Sequence, residues 1–520
     1  FRRVLFRSLG MDGRLSLLAV CICVLVNPST QHKNLLKNIR PYVPKPTKFN
    51  ASVCSSLVND SVKAEIRALQ DNVTKIIEAV MRGSFKGKTY QDTVLFVDDF
   101  GARMAGSDNL NRSIEYLKTY MKRSYTNVTE EEVDIYAWER KKEDCWMVLD
   151  DRNQSMRIFL MGGSVSTNEG GITEEVVILT SMEELKANAS QIKGKIALIN
   201  FPPSHYGQSA SCRVLCPDMA AGAGAKALLL RPGTTFSMNN PHTGIIMYNI
   251  TSKANVSIPV ASVTIEDADM IARLVKRNKT VRIHLDVKSH ETGMVKSQNI
   301  YGDLVGTEKP DELMVMAAHS DSWDIGVGAM DDAGGVFVSL VAGELLRHLN
   351  LTTKRTIRTV IMTGEETGFW GGEEYHKKHR HEANHTSFIM ESDYGTFKAR
   401  GIKSLANQNA SCIVYEILQL LANISANQML ATYYAGADIN MWQEDRVPLG
   451  NLFNEDSKYY WFHHTDADRV NVLDSDSMDS CTAVFAAVSY AVAQLKDLLP
   501  RNDFPEGNMF DMFASKYITQ

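Results

Sequence analysis

Cysteine is scarce in this chain, with eight in 520 residues. No Cys-x-x-Cys pair occurs among them. A fold stapled by dense disulfides is therefore excluded, and sulfur is an unsuitable metal donor here. Only Cys212 and Cys216 stand close enough to suggest a local disulfide. An excess of positive charge is missing too. Lys and Arg number 56 against 61 Asp and Glu, for a net charge of -5 and a pI near 6.3. That balance leaves no footprint for nucleic acid. The apolar run Leu15 to Val26 is shorter than the roughly 20 residues that cross a bilayer comfortably, so no membrane partner is expected. No fixed-period repeat is visible, which argues against a solenoid or propeller.

What is present is an ordinary globular composition, 44% hydrophobic and 22% charged, long enough for two to four domains. Met11 is a plausible start, so residues 1–10 read as a non-native leader. Residues 11–30, with Arg14, a short apolar run and then Asn27-Pro28-Ser29-Thr30, read as a secretory signal peptide. Fourteen Asn-x-Ser/Thr sequons between Asn50 and Asn423 fit a secreted, glycosylated protein. Residues 31–60, rich in Pro, Lys, Asn and Ser, read as a propeptide or flexible leader.

Apolar spacing predicts a helix from Ser61 to Arg82 and another from Leu110 to Tyr125, then a strand from Val133 to Trp138. Residues 147–287 carry many short β-type runs separated by Gly and Pro, and read as a β-rich insertion. It holds no tight cluster of His, Asp or Glu, so it is expected to shape access. Residues 61–146 and 288–500 would form the main domain, with 501–520 as a tail. From Gln298 strand-like and helical runs alternate. Leu313–Ala318, Thr356–Met362 and Ser387–Met390 read as strands, Ala333–Leu349 and Ser477–Leu498 as helices. The expected fold is α/β, a mixed and mostly parallel central sheet with helices on both faces.

Three of these strands run into acids or histidine: His319-Ser-Asp321, Glu365-Glu366 and Asp393. Asp331-Asp332 sits between glycine pairs, and His464 comes from a later loop. In open α/β sheets ligands bind beyond the carboxyl ends of strands. Grouped buried carboxylates are costly unless cations pair with them. Each pattern is common on its own; their order and their position after apolar strands make the case. Two Zn²⁺ ions would be balanced by Asp331, Glu366, Asp393 and a bridging hydroxide, with two neutral histidines completing the set. Either the Asp321 carboxylate or a backbone carbonyl could orient His319. Glu365, beside a ligand, could act as general base and then acid.

The runs Ala318-His-Ser-Asp-Ser-Trp-Asp324, Gly328-Ala-Met-Asp-Asp332, Thr363-Gly-Glu-Glu366, Met390-Glu-Ser-Asp-Tyr-Gly-Thr396 and Tyr460-Trp-Phe-His-His464 resemble the co-catalytic dizinc aminopeptidase/carboxypeptidase family. Trp138-Glu-Arg140, Pro241-His-Thr-Gly244 and Asp438-Ile-Asn440 add to a resemblance spanning roughly residues 60 to 500. It implies a zinc exopeptidase fold with a protease-associated-like insertion. His319, Asp331 and Asp393 would bind one zinc, and Asp331, Glu366 and His464 the other, with Asp331 bridging. Glu365 would be the acid/base, Asp321 the partner of His319, and Asp438 a candidate for the substrate amine. The family implies a homodimer, secreted or lysosomal, that cleaves small peptides, especially dipeptides with free termini. One departure stands out. Relatives tend to carry Ser-His-Gly-Asp-Thr after the metal histidine, whereas this chain has Thr465-Asp-Ala-Asp-Arg469. A single-zinc glutaminyl cyclase and an inactive receptor ectodomain are the competing readings.

Overall fold

The computed structural model describes residues 49, 51–201, 206–246 and 257–504. The expected signal peptide, most of the 31–60 leader and residues 505–520 lie outside the described residues. Among the described residues the fourteen strands, in chain order, are β1 (Thr126–Val148), β2 (Asn153–Ser155), β3 (Ile158–Leu160), β4 (Ile172–Leu179), β5 (Ile196–Ile199), β6 (Ala227–Leu230), β7 (Val260–Val263), β8 (Arg282–Leu304), β9 (Lys309–His319), β10 (Arg355–Met362), β11 (Thr386–Glu391), β12 (Ala399–Leu405), β13 (Gln428–Ala431) and β14 (Leu449–Asn454). Their spatial order is 13-12-14-11-9-10-8-4-5-6-7-3, with β1 paired to β2 and β8.

The apolar runs become the centre of this sheet. Every residue of β10 and β11 is buried, as expected for parallel strands covered on both faces. β14, β11, β9 and β10 are parallel neighbours, while β8 turns antiparallel to β10. The fold is the expected mixed, mostly parallel α/β sheet.

Helices around this sheet include α1 (Ala51–Leu57), α2 (Gln70–Met81), α3 (Lys88–Phe100), α4 (Tyr206–Gly222), α5 (Gly334–His348) and α6 (Ser475–Gln494). α5 and α6 are buried along most of their length, so they are core helices rather than amphipathic surface ones. α6 starts two residues earlier than expected because Asp474 caps it, accepting the Ser477 N–H at 2.8 Å. The expected helix from Ser61 to Arg82 is two helices, Asp60–Arg67 and α2. The break is a tight turn in which the Leu69 N–H reaches Ile66 instead of a carbonyl four residues back.

Residues 147–287 are less purely β than the sequence texture suggests. β4, β5, β6 and β7 are parallel; α4 lies between β5 and β6 in sequence, and the helix Ile265–Lys276 follows β7. The long strands β1 and β8 pair from Thr126–Asp303 to Val148–Arg282. They run unbroken past both expected boundaries of the insertion. Among the described residues no helix is long and apolar enough to cross a membrane.

The Cys212–Cys216 disulfide is present as expected. A second joins Cys54 to Cys412 across 358 residues. It fastens α1, which the sequence reading assigns to a flexible leader, to the helix Gln408–Leu418. Closing so long a loop restricts the unfolded chain. Replacing both cysteines by serine is expected to lower stability by about 2–4 kcal/mol, measured as the shift of a denaturant midpoint.

Candidate metal centre

β11, β9 and β10 lie side by side and parallel, in register Met390–Met316 and Met362–His319. Their carboxyl ends therefore deliver His319, the Glu365–Glu366 loop and Asp393 to one edge of the sheet. Asp331 joins them from the turn before α5. Gly335 lets that helix come close, because a Cβ there would stand 1.8 Å from the Ser392 carbonyl oxygen. His464 arrives from the far side.

The donor atoms form two groups that share Asp331. His319 Nε2 lies 3.4 Å from Asp331 Oδ1 and 3.4 Å from Asp393 Oδ1. His464 Nε2 lies 3.5 Å from Asp331 Oδ2 and 2.8 Å from Glu366 Oε2. One carboxylate thus offers a different oxygen to each group. His319 Nε2, Asp331 Oδ2 and Glu366 Oε1 are buried without a hydrogen-bond partner, which is the condition of atoms that await a cation. Glu365 Oε2 stands 4.0 Å from His319 Nε2, and its side chain keeps 12% exposure. It is near both groups yet reachable from outside.

Two neighbours compete for these positions. Asp332 lies close to His319 and Asp393, and His463 close to Asp331 and His464. The Asp332 oxygens, however, accept the N–H groups of His319 (3.2 Å) and Gly335 (3.1 Å). His463 stacks on His464 with ring centres 3.6 Å apart, but its Nε2 lies 3.4 Å from Asp331 Oδ2 and it makes no approach to Glu366 comparable to that of His464.

A second layer of interactions aims the donors. His319 Nδ1 meets the backbone carbonyl of Asp321 at 3.1 Å. The Asp321 carboxylate, with Oδ1 3.6 Å from His319 Nδ1, accepts the consecutive N–H groups of Gly364, Glu365 and Glu366 at 2.8, 3.2 and 3.2 Å. Asp321 thus orients His319 chiefly through its carbonyl and the glutamates through its side chain. Asp468 accepts the N–H groups of Met330 and Asp331 at 2.7 and 3.1 Å. Arg103 is fully buried and donates to the carbonyls of Ser320, Gly101, Val327 and Gly328. His464 sits in the left-handed region, φ 59°, which costs a non-glycine residue roughly 1–2 kcal/mol. Thr243 offsets this from both sides: its N–H donates to the His464 carbonyl (2.9 Å), and its own carbonyl meets His464 Nδ1 at 3.2 Å.

The electrostatics point the same way. Burial pushes the Glu366 carboxyl well above the usual range, with Asp331 adding to the rise. Burial likewise raises Asp393 and Glu365, where Asp393 and Glu366 add to it against the pull of His319. Burial pushes the His319 ring down, but Asp321, Asp331 and Asp393 outweigh it and hold the ring well above its usual value. Burial, against the pull of Asp331, lowers His464 to about 4, so it is a neutral donor. This pocket attracts positive charge, and its O and N donors suit a small divalent cation.

All residues singled out from the sequence converge here, with Asp438 at the margin. It is fully buried, its N–H donates to Glu391 at 3.3 Å, and burial raises its carboxyl to about 8. Sequence reasoning missed Arg103, the backbone-holding role of Asp468, and the buried Glu391. Nothing in their local sequence signals them, because their partners lie far away in the chain. In the departing loop, Asp466 pairs with Arg157 of the 147–287 block.

The pattern of peptidase family M28 matches residues 299–489. The chain is 37% identical to Carboxypeptidase Q of Xenopus laevis over 455 residues, 87% of this chain and 96% of that protein. It is 35% identical to Carboxypeptidase Q of Homo sapiens over 444 residues, 85% of this chain and 93% of that one. Among solved structures, a peptidase M28 precursor from Shewanella amazonensis superposes with a TM-score of 0.78 at 27% identity, covering 85% of this chain and 100% of that one. A zinc aminopeptidase from Bacillus subtilis shares the fold at a TM-score of 0.60 and 20% identity, over 81% of this chain and 98% of that one. Similarity at this level along almost the whole length of the curated relatives shows that the chain belongs to peptidase family M28 and is a metallopeptidase.

Proposed function

We propose that this metallopeptidase is a two-zinc exopeptidase acting on small peptides with free termini, dipeptides among them. The observation that carries the reading is the division of Asp331, whose Oδ1 faces His319 and whose Oδ2 faces His464. His319, Asp331 and Asp393 would hold one ion, and Asp331, Glu366 and His464 the other. Bound zinc would supply Lewis acidity, polarising a carbonyl and acidifying water. The chain's own acid/base is Glu365. Its place, 4.0 Å from His319 Nε2 with 12% of the side chain exposed, suits it to take a proton from the attacking water and return it to the leaving amine. Asp438 is the candidate partner for the substrate amine, and Asp321 holds the loop that aims Glu365.

Residues 147–287 form an inserted lobe on a catalytic domain of residues 61–146 and 288–500 in this reading. The sequons and the two disulfides support a secreted or lysosomal protein. A homodimer is expected from the family resemblance.

Glu365→Gln is expected to retain both zinc ions by elemental analysis while kcat falls roughly 10²- to 10⁴-fold. A variant with near-normal turnover removes Glu365 from the mechanism. Asp468→Ala frees the backbone on both sides of the Met330–Asp331 peptide and is expected to weaken zinc binding about 10- to 100-fold, read by competition with a fluorescent chelator. Dialysis against a chelator should abolish dipeptide hydrolysis, and added zinc should restore it.

A further inference from the structure

A cavity of about 320 Å³ lies at the amino end of β10, lined by Asn127 from the start of β1 and by Asn350 from the turn after α5. Leu304, Val305, Leu346 and Leu351 give it apolar walls. Val305 is 49% exposed, and aliphatic surface left open in this way marks a place that something covers. The metal donors stand at the other end of β10. Its eight residues put the two places roughly 25 Å apart.

Asn127 and Asn350 are both exposed. Both hold a left-handed backbone, with φ 52° and 53°. At Asn127 a register shift bulges β1 against β8. Asn350 stands just past α5, where the Leu351 N–H closes the helix end on the Leu346 carbonyl at 3.0 Å. Glycine meets both demands with less strain, and the chain uses it at other left-handed positions, Gly106 and Gly224 among them. The backbone alone therefore does not call for an amide at either place. In both, threonine follows two residues on, Thr129 and Thr352, and completes a glycosylation sequon. The sequon at Asn72 is different. Its Nδ2 donates to the Tyr490 hydroxyl at 2.7 Å, a contact that a sugar on that nitrogen would break.

A sugar ring joins an apolar face to an edge of hydroxyls, which suits aliphatic walls beside the exposed Arg347. We propose that Asn127 and Asn350 both carry N-linked glycans and that the cavity between them cradles the inner sugars. Attachment joins each asparagine Nδ2 to C1 of N-acetylglucosamine. The diphosphate of a lipid-linked oligosaccharide leaves, and the amide proton passes to base. The bound sugars cover Val305 and its apolar neighbours, so the amino end of the sheet is closed by the chain's own carbohydrate. This rests on the secreted reading above, because that route supplies the sugar donor, and it goes further by giving the cavity an occupant.

The test uses the full chain secreted from a eukaryotic host and peptide N-glycosidase in ¹⁸O water, which turns each occupied asparagine into labelled aspartate. After denaturation, Asn127 and Asn350 should be labelled and Asn72 should not. On the native protein, both should lose their glycans about 10-fold more slowly than Asn278, exposed on the turn after the helix Ile265–Lys276, because the linkage is reached only when the cavity opens. Thr352→Ala removes one sequon and keeps Asn350. It should lower the thermal midpoint by about 2–4 °C and raise binding of an apolar dye, with kcat/KM on a dipeptide unchanged. Thr352→Ser keeps the sequon and should match the wild type. The cradle is overturned if Asn127 and Asn350 stay unlabelled while other sequons are labelled, or if native Asn127 and Asn350 are stripped as fast as Asn278. Failure of the secreted reading looks different: no sequon is labelled at all, and both conclusions then fall.

Discussion

The concentration of acidic side chains where three parallel strands end is the constraint on which the rest of this structure depends. Each carboxylate taken out of water costs several kcal/mol unless something compensates it. The fold compensates them in two distinct ways. Asp321, Asp332 and Asp468 accept backbone N–H groups, seven in all. Among the described residues no backbone N–H serves Asp331, Glu366 or Asp393. Their oxygens turn inward, toward His319 and His464. The acids therefore separate into those held by backbone N–H groups and those whose oxygens face the two histidines. Hydrogen-bond accounting makes this division without reference to any relative.

The second group of donors depends on residues far from the sheet edge. His464 holds a left-handed backbone, and Thr243 grips it through two hydrogen bonds. Tyr206 stacks on Tyr460 at 4.3 Å, and Arg140 links Asp324 to Thr243 with bonds of 3.0 and 3.2 Å. The 147–287 block thus does more than shape access, the role its sequence suggests: it seats a candidate ligand. Two of its arginines, Arg213 and Arg231, line a cavity with His463 and His464. Asp466, an apparent oddity of the loop after His464, becomes part of that seam through Arg157.

What the sequence makes legible is local. Continuous apolar runs announce β9, β10 and β11, and the acids at their ends announce the site. Which strands are neighbours is a matter of pairing across long separations, and no local pattern encodes it. The same holds for Arg103, three of whose four carbonyl partners lie more than 200 residues away, and for Cys54 with Cys412. Asp331 and Asp332 are indistinguishable as text, as are His463 and His464. Their hydrogen bonds and distances tell them apart only once the chain is folded.

Glu365 and Glu366 show how finely this depends on the backbone. They are adjacent, equally acidic and equally placed after β10, yet one faces His464 at 2.8 Å and the other stands 4.0 Å from His319. The cause is Asp321, whose two oxygens take three consecutive N–H groups and so fix the direction of each side chain in that turn. A slip of one residue in this clamp would put one glutamate in the other's place and leave the vacated place to Gly364 or Thr367. The Asp321 carbonyl meanwhile meets His319, so a single residue sets the spacing between His319 and Glu365. Positions two apart on an extended strand end suit this double task, because the side chain of one and the backbone of the other can reach the same pocket.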